Sequence, residues 1–156
     1  MLYLRHGALP PRPASPPKQI LMNQIQPQPS RAWNATLWVA QLLLGLTFAA
    51  TGVWKLVTPL STLKTILPWT GEVAPAFFYA TAIFDLLGGV GVILPWATRI
   101  APWLTPLAAL GCAALQVCAA VFHLSRGEAQ STPFNFLLIG ISLFIFWGRR
   151  KKAPLS

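Results

Sequence analysis

The chain has 156 residues, 54% of them hydrophobic and only 10% charged, with a mean hydropathy of +0.56. Soluble domains carry about 25% charged residues, so the composition excludes an ordinary water-soluble class and indicates a membrane protein. The net charge of +9 does not indicate nucleic acid, because eight of the twelve basic residues lie in two tails: Arg5, Arg12, Lys18 and Arg31, then Arg149, Arg150, Lys151 and Lys152.

Residues 1–30 hold seven of the fifteen prolines, which predicts an extended, disordered tail. That tail has no apolar stretch of signal-peptide type, and Met22 offers an alternative start of translation. A first apolar span from about Trp33 to Val57 is long enough to cross a hydrocarbon core of ~30 Å. Gln41, Gly45, Ala49 and Gly52 recur at spacings of four and three, and Lys55 continues the row. Small, partly polar residues on one face predict that this stripe turns toward other helices. Leu42, Leu43, Leu44, Leu46 and Phe48 occupy mostly other faces, to meet lipid or pack between helices.

The stretch from Thr58 to Val73 is interrupted by Pro59, Pro68 and Gly71 and is too polar to span. Two readings are open for it: a plain connecting loop, or a short interfacial helix over Leu60 to Leu67 that roofs the bundle, with Trp69 at headgroup depth. A second span follows from Ala74 to Pro95 and carries one carboxylate, Asp85, near its centre. An ionisable group at mid-membrane depth usually faces protein and a partner, which makes Asp85 the central candidate residue. Gly88, Gly89 and Gly91 let another backbone approach the face that bears it.

Arg99 lies in a turn between Trp96 and Trp103, and the third span is expected from about Pro102, at the helix start, to Leu124. Thr105, Ala108, Ala109, Cys112, Gln116, Ala119, Ala120 and His123 share one face of it. Cys112 and Cys118, six apart on this one helix, cannot come within the ~7 Å that a disulfide requires. The fourth span, from about Pro133 to Trp147, is short, so snorkelling of the basic residues after it should complete the crossing. Asn135 and Ser142 give it a weak polar face.

Four spans put both tails on one side of the membrane. That side holds the eight tail charges and Arg99 against Lys55, Lys64 and Arg126 opposite, which predicts cytoplasmic termini. Asp85 and Gln116 then lie about 15 Å and about 12 Å below the outer surface by helical rise. Lys55, His123, Arg126 and Glu128 gather near that surface, so a polar cluster opening away from the cytoplasm is expected. Pairing with Lys55 would keep Asp85 charged, and isolation would favour the neutral acid.

Quieter roles compete with this cluster. Lys55 can snorkel, Gln116 can bond between helices, and His123, Arg126 and Gly127 can cap the third helix. Asp85 can form an ion pair that only fixes helix register. One histidine without a thiol cluster falls short of a metal-ligand set.

The chain resembles the DoxX-like family of small four-helix membrane proteins over about residues 31 to 152. Three stretches carry the resemblance: Thr51, Gly52 and Lys55 in TGVWKL; Asp85, Gly88, Gly91 and Pro95 in DLLGGVGVILP; and His123, Arg126, Gly127 and Glu128 in HLSRGE. Relatives commonly carry glutamate where this chain has the shorter Asp85. The resemblance implies kinship with a membrane subunit of a thiosulfate:quinone oxidoreductase and with membrane partners of redox or oxidative-stress enzymes.

The sequence thus predicts an all-α, polytopic membrane four-helix bundle over residues 31–150, between the 1–30 tail and a basic 151–156 tail. Its expected place is the bacterial inner membrane, N-in and C-in. Its partners would be the lipid bilayer, a membrane or periplasmic redox enzyme and, as a homo-oligomer, copies of itself. Lys55, Asp85, Gln116, His123, Arg126 and Glu128 are the candidate binding residues of an accessory or partner subunit without catalytic residues or metal. Quinone is the cofactor the resemblance admits, in an alternative where Asp85 and His123 relay protons or contact its head. A small-molecule transporter is a weaker alternative, because no clear inverted repeat is present.

Overall fold

A computed structural model describes residues 30–151. Apart from Ser30 and Lys151, the two tails lie outside the described residues, and with them the expected disorder and the alternative start at Met22. Helix α1 spans Arg31–Val57. Its first turn is capped by Ser30, whose Oγ accepts the Trp33 N–H at 3.2 Å, and it stops before Pro59, where Thr58 turns extended at ψ 130°.

Short helix α2, Leu60–Ile66, and a 3-10 turn, Pro68–Gly71, replace the plain loop left open by the sequence. Leu63 and Thr70 are the buried residues of this segment. Trp69 packs against the bundle. It turns inward against Phe78, Phe122 and His123 at centroid distances of 6.0, 5.8 and 6.5 Å.

Helix α3, Pro75–Thr98, starts on a proline whose missing N–H has no partner to lose. The chain then reverses through Arg99 and Ala101, both with positive φ, at 59° and 49°. That reversal absorbs Pro102, so α4 spans Leu104–Ser125 and begins two residues later than expected. Helix α5, Thr132–Lys151, is longer than the expected fourth span and follows a 3-10 turn at Ala129–Ser131. Four of these segments are long and apolar enough to cross a membrane.

The four long helices form a closed antiparallel ring in which α1 packs on α3, α3 on α4, α4 on α5, and α5 back on α1. The stripe of small residues on α1 is the α1–α3 seam. A Cβ added to Gly89 would lie 2.5 Å from both the Ala49 nitrogen and the Gly45 oxygen, and one on Gly52 would meet the Leu86 nitrogen at 2.7 Å. Backbone therefore rests on backbone there. Leu44 and Phe48 pack in the core with Val92, Ala109, Cys112, Leu138 and Ile145, whereas Leu42, Leu43 and Leu46 point outward.

Helix α5 departs from the snorkelling expectation at Arg149. Arg149 does not extend along the surface: it folds inward and is 2% exposed. Its Nε donates to Gln41 Oε1 at 2.6 Å and its Nη1 to Asn34 Oδ1 at 2.7 Å. Gln41 in turn donates to the Val92 carbonyl at 2.8 Å, so one chain of bonds joins α5, α1 and α3. Asn135 and Ser142, read from sequence as a weak polar face, are both buried.

Candidate functional site

Gly52 and Lys55 on α1, and Ala82 and Asp85 on α3, are each three residues apart. Gly52 rests on the backbone of Ala82 and Leu86, which sets Asp85 at its own level on the facing antiparallel helix, within reach of the long Lys55 side chain one turn along α1. Lys55 Nζ donates to Asp85 Oδ2 at 2.7 Å, with side chains only 12% and 8% exposed. The ammonium also sits 5.9 Å from the centre of the Trp69 ring, an attractive approach to an aromatic face.

This ion pair borders a cavity of about 370 Å³ walled by all four long helices and by Leu67 and Trp69 of the intervening segment. Phe48, Trp54, Phe77, Phe122 and Phe134 give it an aromatic lining, and Gln116, His123 and Asn135 add separate polar points. A mainly apolar chamber with a few fixed polar groups has the build of a small-molecule site. Cys118, a free thiol, also lies on its wall.

His123 is set by the end of α4. Gly127 adopts φ +74°, a conformation suited to glycine just past a helix, which brings the Glu128 N–H back to the His123 carbonyl at 2.9 Å. Glu128 Oε2 thereby reaches His123 Nδ1 at 2.7 Å. The carboxylate only accepts, so Nδ1 carries the proton of this bond. Arg126 Nε donates to Glu128 Oε1 at 3.0 Å, and both its terminal nitrogens donate to Glu72: Nη2 to Oε1 at 2.8 Å and Nη1 to Oε2. Capping and clustering are thus two aspects of one arrangement.

The electrostatics follow from these bonds. The bond from Arg126 holds the Glu72 carboxyl below its ordinary value of 4.5. Glu128 is held low first by His123 and then by Arg126. The same two acids raise Arg126 above its usual range.

Of the six sequence candidates, Lys55, Asp85, Gln116 and His123 share the cavity wall. Arg126 and Glu128 do not line it; they hold His123 from behind. The Gln116 side chain makes no hydrogen bond to other described residues, so the interhelical bond offered as its quieter role is not formed. Sequence reasoning passed over Glu72 and the Arg149–Gln41–Asn34 chain, and took Asn135 only as part of a weak polar face. Glu72 had one usable signal, since the chain holds just three acidic residues for twelve basic ones. Among the described residues no three His, Cys, Asp or Glu side chains gather where they could hold a metal.

A closed ring of membrane-length helices around an internal, mainly apolar cavity defines a polytopic membrane domain. The chain belongs to the DoxX-like family, whose model matches residues 39–145. That match takes in all six candidates and Glu72 and stops short of Asn34 and Arg149. No curated protein and no solved structure matches the chain.

Proposed function

We propose that this domain is an accessory membrane subunit of the bacterial inner membrane that holds the polar head of a membrane-soluble ligand in its central cavity. One observation carries the reading: the cavity of about 370 Å³ is mainly apolar, with several aromatic side chains in its wall, yet bordered by a buried Lys55–Asp85 pair and by His123. A structural ion pair alone needs no chamber beside it. Within this reading the termini are cytoplasmic and the cavity opens to the other side. Arg31, Arg99, Arg149, Arg150 and Lys151 gather at the helix ends opposite the cavity, which supports that orientation.

The redox form of the reading takes quinone as the ligand. It is favoured by Lys55 and His123 both lying close to Trp69 on the cavity wall, which offers a flat ring two polar groups and an aromatic side chain. A membrane or periplasmic oxidoreductase would be the partner, and the bundle would supply the binding site rather than the catalysis.

The test is a titration of the purified protein with short-chain ubiquinone and menaquinone analogues, followed by tryptophan quenching, since Trp54 and Trp69 line the cavity. Saturable quenching is expected, reduced in Trp69→Phe and weakened about tenfold or more in Asp85→Asn and in His123→Ala, as for loss of one charged hydrogen bond. Quenching that never saturates, or that is equal in folded wild-type and variant proteins, would overturn the quinone reading.

A further inference from the structure

The chain has three acidic residues, and all are used at the cavity side: Asp85 by Lys55, and Glu72 and Glu128 by Arg126. At the opposite end, where α1 begins and α3 and α5 finish, stand Arg31, Arg99, Arg149, Arg150 and Lys151, with no acid among the described residues there. Four of these five are exposed. Arg149 is not: its guanidinium lies 3.8 Å from the Trp96 ring centre and 5.7 Å from that of Trp38.

Both hydrogen-bond partners of Arg149, Gln41 and Asn34, are neutral. Its remaining nitrogen, Nη2, is enclosed and donates to none of the described residues. A buried guanidinium without a counter-charge is unfavourable, and two rings and two amide oxygens compensate only in part. No acid among the described residues supplies the missing negative charge, which leaves this end open to an external anion.

We propose that this end of the bundle binds the phosphate headgroup of an anionic phospholipid. The exposed Arg31, Arg150 and Lys151 supply the direct contacts, and Arg149 supplies a fixed positive charge and an unspent donor behind them. Arg150 is steadied over the Phe146 ring at 5.2 Å. Five of the seven tryptophans, Trp33, Trp38, Trp96, Trp103 and Trp147, lie at this end, the level of headgroups in a bilayer.

Apolar surface stands beside the charge: Ile100 is 73% exposed, Trp103 64% and Trp147 45%. A lipid satisfies both features, with phosphate on the bases and acyl chains on the collar, whereas a free anion uses only the first. Asn34, Trp38, Arg149 and Arg150 lie outside the stretch matched by the family model. The site therefore draws on the ends of this particular chain, and it is independent of what the cavity holds.

The experiment is native mass spectrometry of the delipidated full chain, offered phosphatidylglycerol, phosphatidylcholine of matched chains, or inorganic phosphate. Phosphatidylglycerol is expected to be retained about tenfold or more over phosphatidylcholine, given the attraction of each surface base for anionic lipid. The exposed double variant Arg150→Gln/Lys151→Gln, which leaves the buried contacts in place, is expected to bring the ratio close to one. Arg149→Lys should keep most of the preference and Arg149→Gln should lose it. Equal retention of the two lipids overturns the proposal, as does an unchanged ratio in the double variant. Displacement of phosphatidylglycerol by millimolar inorganic phosphate overturns the lipid as the source of the anion.

Discussion

Asp85 and Arg149 are the two charges that the bundle takes furthest from water, and they are treated differently. Asp85 has a full counter-charge at 2.7 Å in Lys55, whereas Arg149 has only neutral acceptors and rings. Removing one partner of a buried pair leaves the other uncompensated, typically at a cost of about 3–5 kcal/mol. Asp85→Ala is therefore expected to destabilise the domain by about 3 kcal/mol in denaturant titrations in detergent. The double variant Lys55→Met/Asp85→Leu should recover most of that loss, and an undiminished loss would show that the pair is not the source. The contrast also explains what could be read in advance. A lone carboxylate within an apolar run is conspicuous in sequence, and Lys55 sits one helical turn beyond the glycine that brings it there. Arg149 follows a short apolar run just as a snorkelling base does. Its inward fold depends on Gln41, 108 positions away, and no local pattern encodes that.

Among the elements, the segment between α1 and α3 has the least secure hold on the bundle and the most direct bearing on the cavity. It contributes Leu67 and Trp69 to the cavity wall, and its end is tied to α4 by the forked bond from Arg126 to Glu72. Glu72 and Glu128 both have carboxyls held below their ordinary value of 4.5. For acids depressed in the folded state, the stabilisation is complete above the unfolded value and is lost as pH falls through the lower folded one. The tie should thus be indifferent between pH 6 and 8 and weaken only in acid below about 4.5. Glu72→Gln removes the charge at neutral pH and is expected to raise amide exchange across residues 60–73 severalfold, with the core of α3 unchanged. Equal exchange in wild type and variant would mean that Leu63 and Trp69 hold the segment without the ion pair. Sequence left this stretch open between loop and roof because seven helical residues bounded by prolines make no periodic signal. Leu63 and Trp69 settle the matter only once the spans are assembled beneath them.

At the scale of the whole molecule, the helix seams set the shape of the cavity, so substitutions remote from the wall should reach it. The α1–α3 seam is made by backbone against backbone at Gly45, Gly52 and Gly89, and the same seam fixes the distance from Lys55 to Asp85. Gly89→Val would place branched carbon where the Ala49 nitrogen and Gly45 oxygen already stand at 2.5 Å from its Cβ. Neither helix backbone can yield locally, so the two must separate along their length. This variant is expected to lose both thermal stability and ligand quenching although residue 89 is not on the cavity wall. Gly111 on α4 is the matched control, because a Cβ there meets nothing within 4 Å. Gly111→Ala should be neutral, or stabilising by up to about 1 kcal/mol through helix propensity, with quenching intact. If the two substitutions proved equally harmless, α1 and α3 would not be in the close contact that positions Lys55 against Asp85, and the cavity would lose its polar border. If both were equally damaging, helix propensity or membrane insertion would govern the outcome instead of the seam.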